Sequence, residues 1–293
     1  MTASADAAPI VAARPFRLPR SLARGWRHRS LILGIGFAVC VVVVLLLPIW
    51  LGDPTAQNII DRLKPPSGAN WFGTDEFGRD VFTRVVTGAR VSLTVGAVAA
   101  VCALVVGSVY GATSGMLGGA ADLVLMRITE VILAFPGPLL ALVLSVALGP
   151  GMRTLIIAIA IVYSAPVARL VRGLVQDELK EDYVTAAIQI GSSRLRIASR
   201  HVLVNITPAA LTFTMIVAAD AILVEAGLSY LGAGVSPPQP SWGNMIQEGQ
   251  SYTFGGTWWI SLFSGLAIAV TVLCLNTIAD SVIDDLRLGG RLG

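Results

Sequence analysis

The sequence predicts an all-α integral membrane protein with six transmembrane helices, and three observations predict it. Over 293 residues 55% are hydrophobic, 13% are charged and the mean hydropathy is +0.75, which is more apolar side chain than a water-soluble domain buries. The charges gather into a few intervals separated by runs with almost none, whereas a soluble domain spreads charge over its surface. Six of those apolar runs approach the about 20 residues that cross a bilayer as a helix. They lie at 31–51, 91–112, 128–148, 154–170, 208–229 and 259–279.

The first run follows Arg14, Arg17, Arg20, Arg24, Arg27 and Arg29. That arrangement resembles a secretory leader, yet the run is long and no small-residue cleavage site follows, so an uncleaved first helix with a cytoplasmic N-terminus is expected. Between the first and second runs lies an extracytoplasmic loop, 52–90, containing "GTDEFGRD". Its carboxylates Asp75, Glu76 and Asp80 lack the D-x-D-x-D-G spacing of a calcium loop. A short amphipathic helix from Asp80 to Arg90 is expected there, with Arg79 and Arg84 paired to local carboxylates. Pro136 and Pro138 in the third run and Pro166 in the fourth predict kinks.

With six crossings, the segments before 31, near 113–127, between 171 and 207 and after 280 share one side. Only Arg62, Lys64, Arg79, Arg84, Arg90 and Arg153 fall on the other, so fifteen of the 21 basic residues mark the first side as cytoplasmic. The chain divides into a basic tail at 1–30, the first helix, the 52–90 loop, a five-helix core over 91–284 and a cytoplasmic C-terminal tail at 285–293. Two long connections interrupt that core and are expected to serve function. One is the outer segment 235–258, where "PPQPSW" reads either as an interfacial turn anchored by Trp242 or as a receiving surface for an extracytoplasmic partner. The other is the inner segment 171–207.

That inner segment contains "YVTAAIQIGSSRLRIASRHVL". Residues 177–190 favour helix, with Val184, Ala187 and Ile188 on one side and Thr185, Ala186 and Gln189 elsewhere. Gly191 suits a left-handed C-terminal position, and Ser192 or Ser193 can cap a second helix. There Leu195, Ala198 and Val202 form an apolar stripe opposite Arg196 and Arg200, and Pro208 opens the fifth span. A helix, a sharp turn and a second helix describe either a surface pair lying on lipid headgroups or a docking element, in which Ala186 and Ala187 allow a partner to come close.

The chemistry of an enzyme is not assembled here. Cys40, Cys102 and Cys274 sit in apolar runs without CxxC spacing, and His28 and His201 stand alone, so neither a metal site nor a disulfide framework is expected. There is no GxxxxGKS/T phosphate loop and no paired nucleophile and base. Asp220 and Glu225 of the fifth span and Glu130 of the third are carboxylates at membrane depth. Spaced five apart, Asp220 and Glu225 do not share a helix face. Either of them lines a solute pathway, or each is paired structurally with a neighbouring helix.

The segment 183–208 resembles the cytoplasmic EAA loop of permease subunits in binding-protein-dependent ABC importers, through Thr185, Ala186, Ala187, Gly191 and Pro208. Thr185 stands where many members have glutamate. Three further stretches, "FGTDEFGRDVFTRVVTGARVSL" (72–93), "HVLVNITP" (201–208) and "VEAGLSYLGAGVSPPQPSWGNMI" (224–246), are similar to the C-type permease of dipeptide and oligopeptide importers. The resemblance covers residues 30 to 286. It implies a type I ABC importer permease fold in a bacterial cytoplasmic membrane, with no cofactor in this chain and ATP and magnesium in partner subunits.

The implied partners are a second homologous permease, two ATP-binding subunits, an extracytoplasmic peptide-binding protein and membrane lipid, without nucleic acid. It further implies that Tyr183, Thr185, Ala186, Ala187, Gly191 and Arg194 belong to a coupling helix seated on an ATP-binding subunit. Glu225, which lies in a family-like stretch, and Asp220 are the candidates for the pathway. Nickel chelates or another small solute are alternatives to peptide, and an ATP-independent channel is a different class that the 183–203 segment disfavours.

Overall fold

The computed structural model describes residues 51–289, with side chains as far as 283, and scattered positions between 34 and 47. The tail at 1–30, most of the first expected span and residues 290–293 lie outside the described residues. Within the described residues the chain is helical, with one antiparallel bridge between Thr74 and Asp80. The helices are α1 (Val81–Leu117), α2 (Gly119–Ala134), α3 (Gly137–Leu148), α4 (Met152–Glu178), α5 (Asp182–Gln189), α6 (Arg194–Tyr230), α7 (Trp242–Thr253) and α8 (Trp259–Gly289). Of these, α1, α4, α6 and α8 are long and apolar enough to cross a membrane, and the bent pair α2–α3 makes a fifth such span if taken as one.

The expected short helix before the second span is instead the first part of α1, which runs unbroken for 37 residues. Asp80 caps it by accepting from the Thr83 amide, and the helix continues through Gly88 and Arg90 without a break. At about 1.5 Å per residue α1 is roughly 55 Å long, well beyond a hydrocarbon core of about 30 Å.

The third expected span is broken rather than kinked. α2 and α3 meet at 90°, because Phe135 precedes a proline and is extended (φ −90°, ψ 140°). Pro166, by contrast, sits inside an unbroken α4. Pro208 lies well within α6, which begins at Arg194 and not at the proline.

α1 packs chiefly against α4, and the two run parallel. Gly107 faces Ser164 and Val167, Gly111 faces Ala168, and Gly115 faces Arg172 and Val175. A methyl group at Gly107 would lie 2.7 Å from the Ser164 carbonyl oxygen, and one at Gly111 would collide with the Ala168 carbonyl. Small residues four apart let two backbones touch where lipid gives no hydrophobic drive to associate.

Three apolar clusters follow one another along this axis. Val81, Val85, Trp242, Met245 and Ile260 fill the end where α1 begins; Val95, Ala141, Ile159, Ala221 and Val224 fill the middle; Val171, Val175, Val184, Ile197 and Val202 fill the far end. The exposed Val101, Val105 and Val109 of α1 and Leu266, Val270 and Leu273 of α8 present apolar stripes suited to lipid.

Candidate functional site

At the far end the chain leaves the bundle after Glu178, turns through 179–181 and forms α5. Helix does not run on from 177 as expected: α4 stops and α5 starts afresh at Asp182. The C-terminus of α5 is closed by two backbone bonds, Ser192 N–H to the Ala187 carbonyl (3.0 Å) and Gly191 N–H to the Ile188 carbonyl (3.0 Å). This is a Schellman arrangement, and it needs the left-handed backbone that Gly191 adopts (φ 82°). Ser193 then caps α6 by accepting from the Arg196 amide.

One face of this excursion is packed into the bundle. Val184 and Ala187 are buried in the same cluster as Val171 and Val175 of α4 and Ala103 of α1. Burying Val184 contributes on the order of 1.5 kcal/mol.

The outer face is unlike the expected one. Ile188 is 57% exposed, Ile190 83% and Leu195 80%, beside the exposed Thr185, Ala186 and Arg194. α5 is only two turns long, so Val184 and Ala187 fill its inner side and Ile188 falls at the edge. In α6 a π turn over Ala198–Val202 resets the stripe. Residues five apart lie about 140° apart on an α-helix; here Ile197 and Val202 enter one cluster, and Leu195 is turned out.

Three side chains join the excursion to its supports. The Tyr183 hydroxyl donates to Glu178 Oε1 at the end of α4. The Asn205 amide of α6 donates to the same Oε1 at 2.7 Å and to the Tyr183 oxygen at 2.9 Å. The Tyr183 ring lies 5.8 Å from that of His201. Partial burial first, and then its bond to the Glu178 carboxylate, raise the Tyr183 phenol above its ordinary pKa. Neither Glu178 nor Asn205 is marked by composition or spacing; only the fold brings them to Tyr183.

Six residues further into the bundle, Arg172 of α4 holds Asp122 of α2 through two bonds of 2.5 Å, and Ser114 of α1 donates to the same carboxylate.

The membrane-depth carboxylates separate. Glu225 is wholly buried (0% exposed), accepts from Ser229 Oγ at 2.7 Å, and stands beside Ser92 and Ser241. Asp220 lies on an exposed face of α6, within electrostatic reach of Tyr163 of α4. Glu130 is exposed and pairs with Arg127 at 2.9 Å.

At the opposite end a buried ionic network closes the cap. Asp75, 0% exposed, accepts from Arg79 Nε at 2.6 Å and from Arg84, as the sequence leads one to expect. Glu248 of α7, which the sequence did not single out, completes it. Glu76 accepts from the Tyr252 hydroxyl of α7 at 2.5 Å, and this bond raises the Tyr252 phenol above its ordinary pKa. Trp242 does not reach the headgroups: it is buried, with Nε1 donating to the Val85 carbonyl at 3.0 Å.

A set of long apolar helices around an ordered, two-faced excursion defines a multi-pass membrane protein of the transport-permease class. Residues 103–286 match the family of binding-protein-dependent transport system inner membrane components, and the chain belongs to that family. A relative from Brucella abortus is 41% identical over 261 residues, 88% of this chain and 87% of the relative, and its name places it in a peptide transport system as a permease protein. The probable D,D-dipeptide transport system permease protein DdpC of Escherichia coli is 38% identical over 273 residues, 91% of each chain. The oligopeptide transport system permease protein OppC of Bacillus subtilis is 35% identical over 265 residues, 89% of this chain and 87% of its own.

Proposed function

We propose that the chain is one of two permease subunits of an ATP-driven importer that moves dipeptides or oligopeptides across the cytoplasmic membrane, with both of its termini in the cytoplasm. ATP and magnesium act in two partner subunits; an extracytoplasmic binding protein delivers the peptide. The names of its relatives support peptide as the solute.

The observation that carries the reading is the two-faced excursion: Val184 and Ala187 packed into the bundle, with Ile188, Ile190 and Leu195 turned outward beside Arg194. Such a face needs a cover, and a groove on an ATP-binding subunit supplies one. Tyr183, Thr185, Ala186, Ala187, Gly191 and Arg194 then belong to the coupling element, Ala187 and Gly191 by shaping it and Thr185, Ala186 and Arg194 by contact.

Moving a transporter from mostly inward-facing to mostly outward-facing takes about 5.5 kcal/mol of differential binding. ATP-driven closure of the partner subunits supplies it, and the excursion transmits the displacement to α4 and α6. Asp220, exposed on α6, is better placed than the enclosed Glu225 to meet a peptide's ammonium group. The test is co-purification with an ATP-binding subunit: the partner is retained by the native chain and lost when 183–191 is scrambled. Retention by the scrambled chain would refute the reading.

A further inference from the structure

The excursion is joined to the bundle by two turns, 179–181 and 191–193, and a lever is only as stiff as its joints. At the first turn the exposed Lys180–Asp177 pair adds little, because exposed ion pairs contribute about 0–1 kcal/mol. Val184 and Ala187 resist lifting of α5, yet apolar contacts are non-directional and let a short helix swivel. Directional restraint comes from elsewhere.

We propose that Glu178, Tyr183 and Asn205 are positioning residues that form a clasp, fixing the angle of α5 relative to α4 and α6 so that force applied at α5 reaches both helices. The inference deepens the coupling role proposed above and rests on it. The three side chains close a triangle in which each bonds to the other two, and they come from the last turn of α4, the first turn of α5 and the interior of α6. The Glu178–Asn205 bond, across 27 residues, spans both turns, while Tyr183–Asn205, across 22, spans the second and Tyr183–Glu178 the first. Hydrogen bonds fix direction as apolar contacts do not, and His201 against the Tyr183 ring limits its swing.

The experiment uses the whole complex in nanodiscs: this chain, its permease partner and both ATP-binding subunits. Hydrogen exchange across 182–190 is read without nucleotide, and ATP hydrolysis is read with and without binding protein preloaded from a casein hydrolysate. Tyr183→Phe and Asn205→Ala are expected to speed exchange severalfold, and Asn205→Ala is expected in addition to keep the ATP-binding subunits attached and basal hydrolysis intact while losing stimulation by the binding protein. Glu178→Gln, whose amide oxygen still accepts both bonds, is expected to behave as the native chain, whereas Glu178→Ala behaves as the other two. Rescue by the amide separates hydrogen-bond acceptance from the charge of the carboxylate, and attached ATP-binding subunits with intact basal hydrolysis in Asn205→Ala separate the clasp from general stability.

Native exchange rates in Tyr183→Phe and Asn205→Ala, or a Glu178→Gln complex as defective as Glu178→Ala, would overturn the clasp. Should Tyr183→Phe fail to assemble, Asn205→Ala and the Glu178 pair decide the matter through the same exchange measurement. Failure of the coupling role itself shows differently, as ATP-binding subunits that remain attached when 183–191 is scrambled.

Discussion

Arg84 of α1 and Glu248 of α7, 164 residues apart in the chain, meet through two bonds, Nη1 to Oε2 at 2.7 Å and Nη2 to Oε1 at 3.1 Å. Arg84 is 1% exposed, and without Glu248 it shares Asp75 with Arg79, so one buried positive charge is left unbalanced, at a cost of about 3–5 kcal/mol. Glu248→Ala is therefore expected to lower thermal stability markedly in detergent, read by intrinsic fluorescence. Pairing it with Arg84→Met, which leaves Asp75 balanced by Arg79, is expected to recover part of the loss. A double variant as unstable as the sum of the singles would exclude this origin.

The contact of α1 with α4 turns on backbone approach. At Gly111 any side chain meets the Ala168 carbonyl, so Gly111→Val is expected to force the helices apart at about 1–3 kcal/mol and to lower the midpoint of thermal unfolding. Gly173, around which a methyl group meets nothing within 4 Å, is the control, and Gly173→Ala is expected to leave the midpoint unchanged.

Gly191 has open space around it and a φ of 82°, so its requirement is conformational. Gly191→Val puts a β-branched residue where L side chains are disfavoured by roughly 1–2 kcal/mol, loosening the turn while sparing the membrane helices. The expected outcome is a complex that assembles without supporting peptide uptake by cells. Uptake at the native rate would contradict it.

Asp220 and Glu225 are expected to answer differently to loss of charge. Glu225→Gln keeps an oxygen for Ser229 and should leave uptake intact. Asp220→Asn, on the exposed face of α6, should slow uptake at limiting peptide. The reverse pattern would return the pathway to Glu225.

Much of this architecture is legible in the sequence because membrane helices announce themselves by length and hydropathy: the runs at 91–112, 154–170, 208–229 and 259–279 all lie within α1, α4, α6 and α8. Gly191 and the Ser193 cap are likewise visible, since both answer to local backbone requirements. What escapes is whatever depends on partners distant in the chain. Nothing near Glu248 points to Arg84, and nothing near Asn205 points to Tyr183.

The outward turn of Leu195 escapes for another reason. A 3.6-residue period assumes an unbroken α-helix, and the π turn at Ala198–Val202 changes which residues share a face. The spacing of Gly107, Gly111 and Gly115 was a readable signal for close helix packing, and it is the one most useful to look for in similar chains.

The most direct measurement concerns Ile190, 83% exposed at the tip of the excursion. With Ile190→Cys in intact cells, a membrane-permeant maleimide that carries a photoactivated benzophenone, which inserts into any nearby C–H bond, is expected to join this chain to an ATP-binding subunit, while a membrane-impermeant maleimide added outside leaves the cysteine unmodified. Labelling from outside, or no cross-link in complexes that contain the ATP-binding subunit, would contradict the placement of 183–191 as the coupling element.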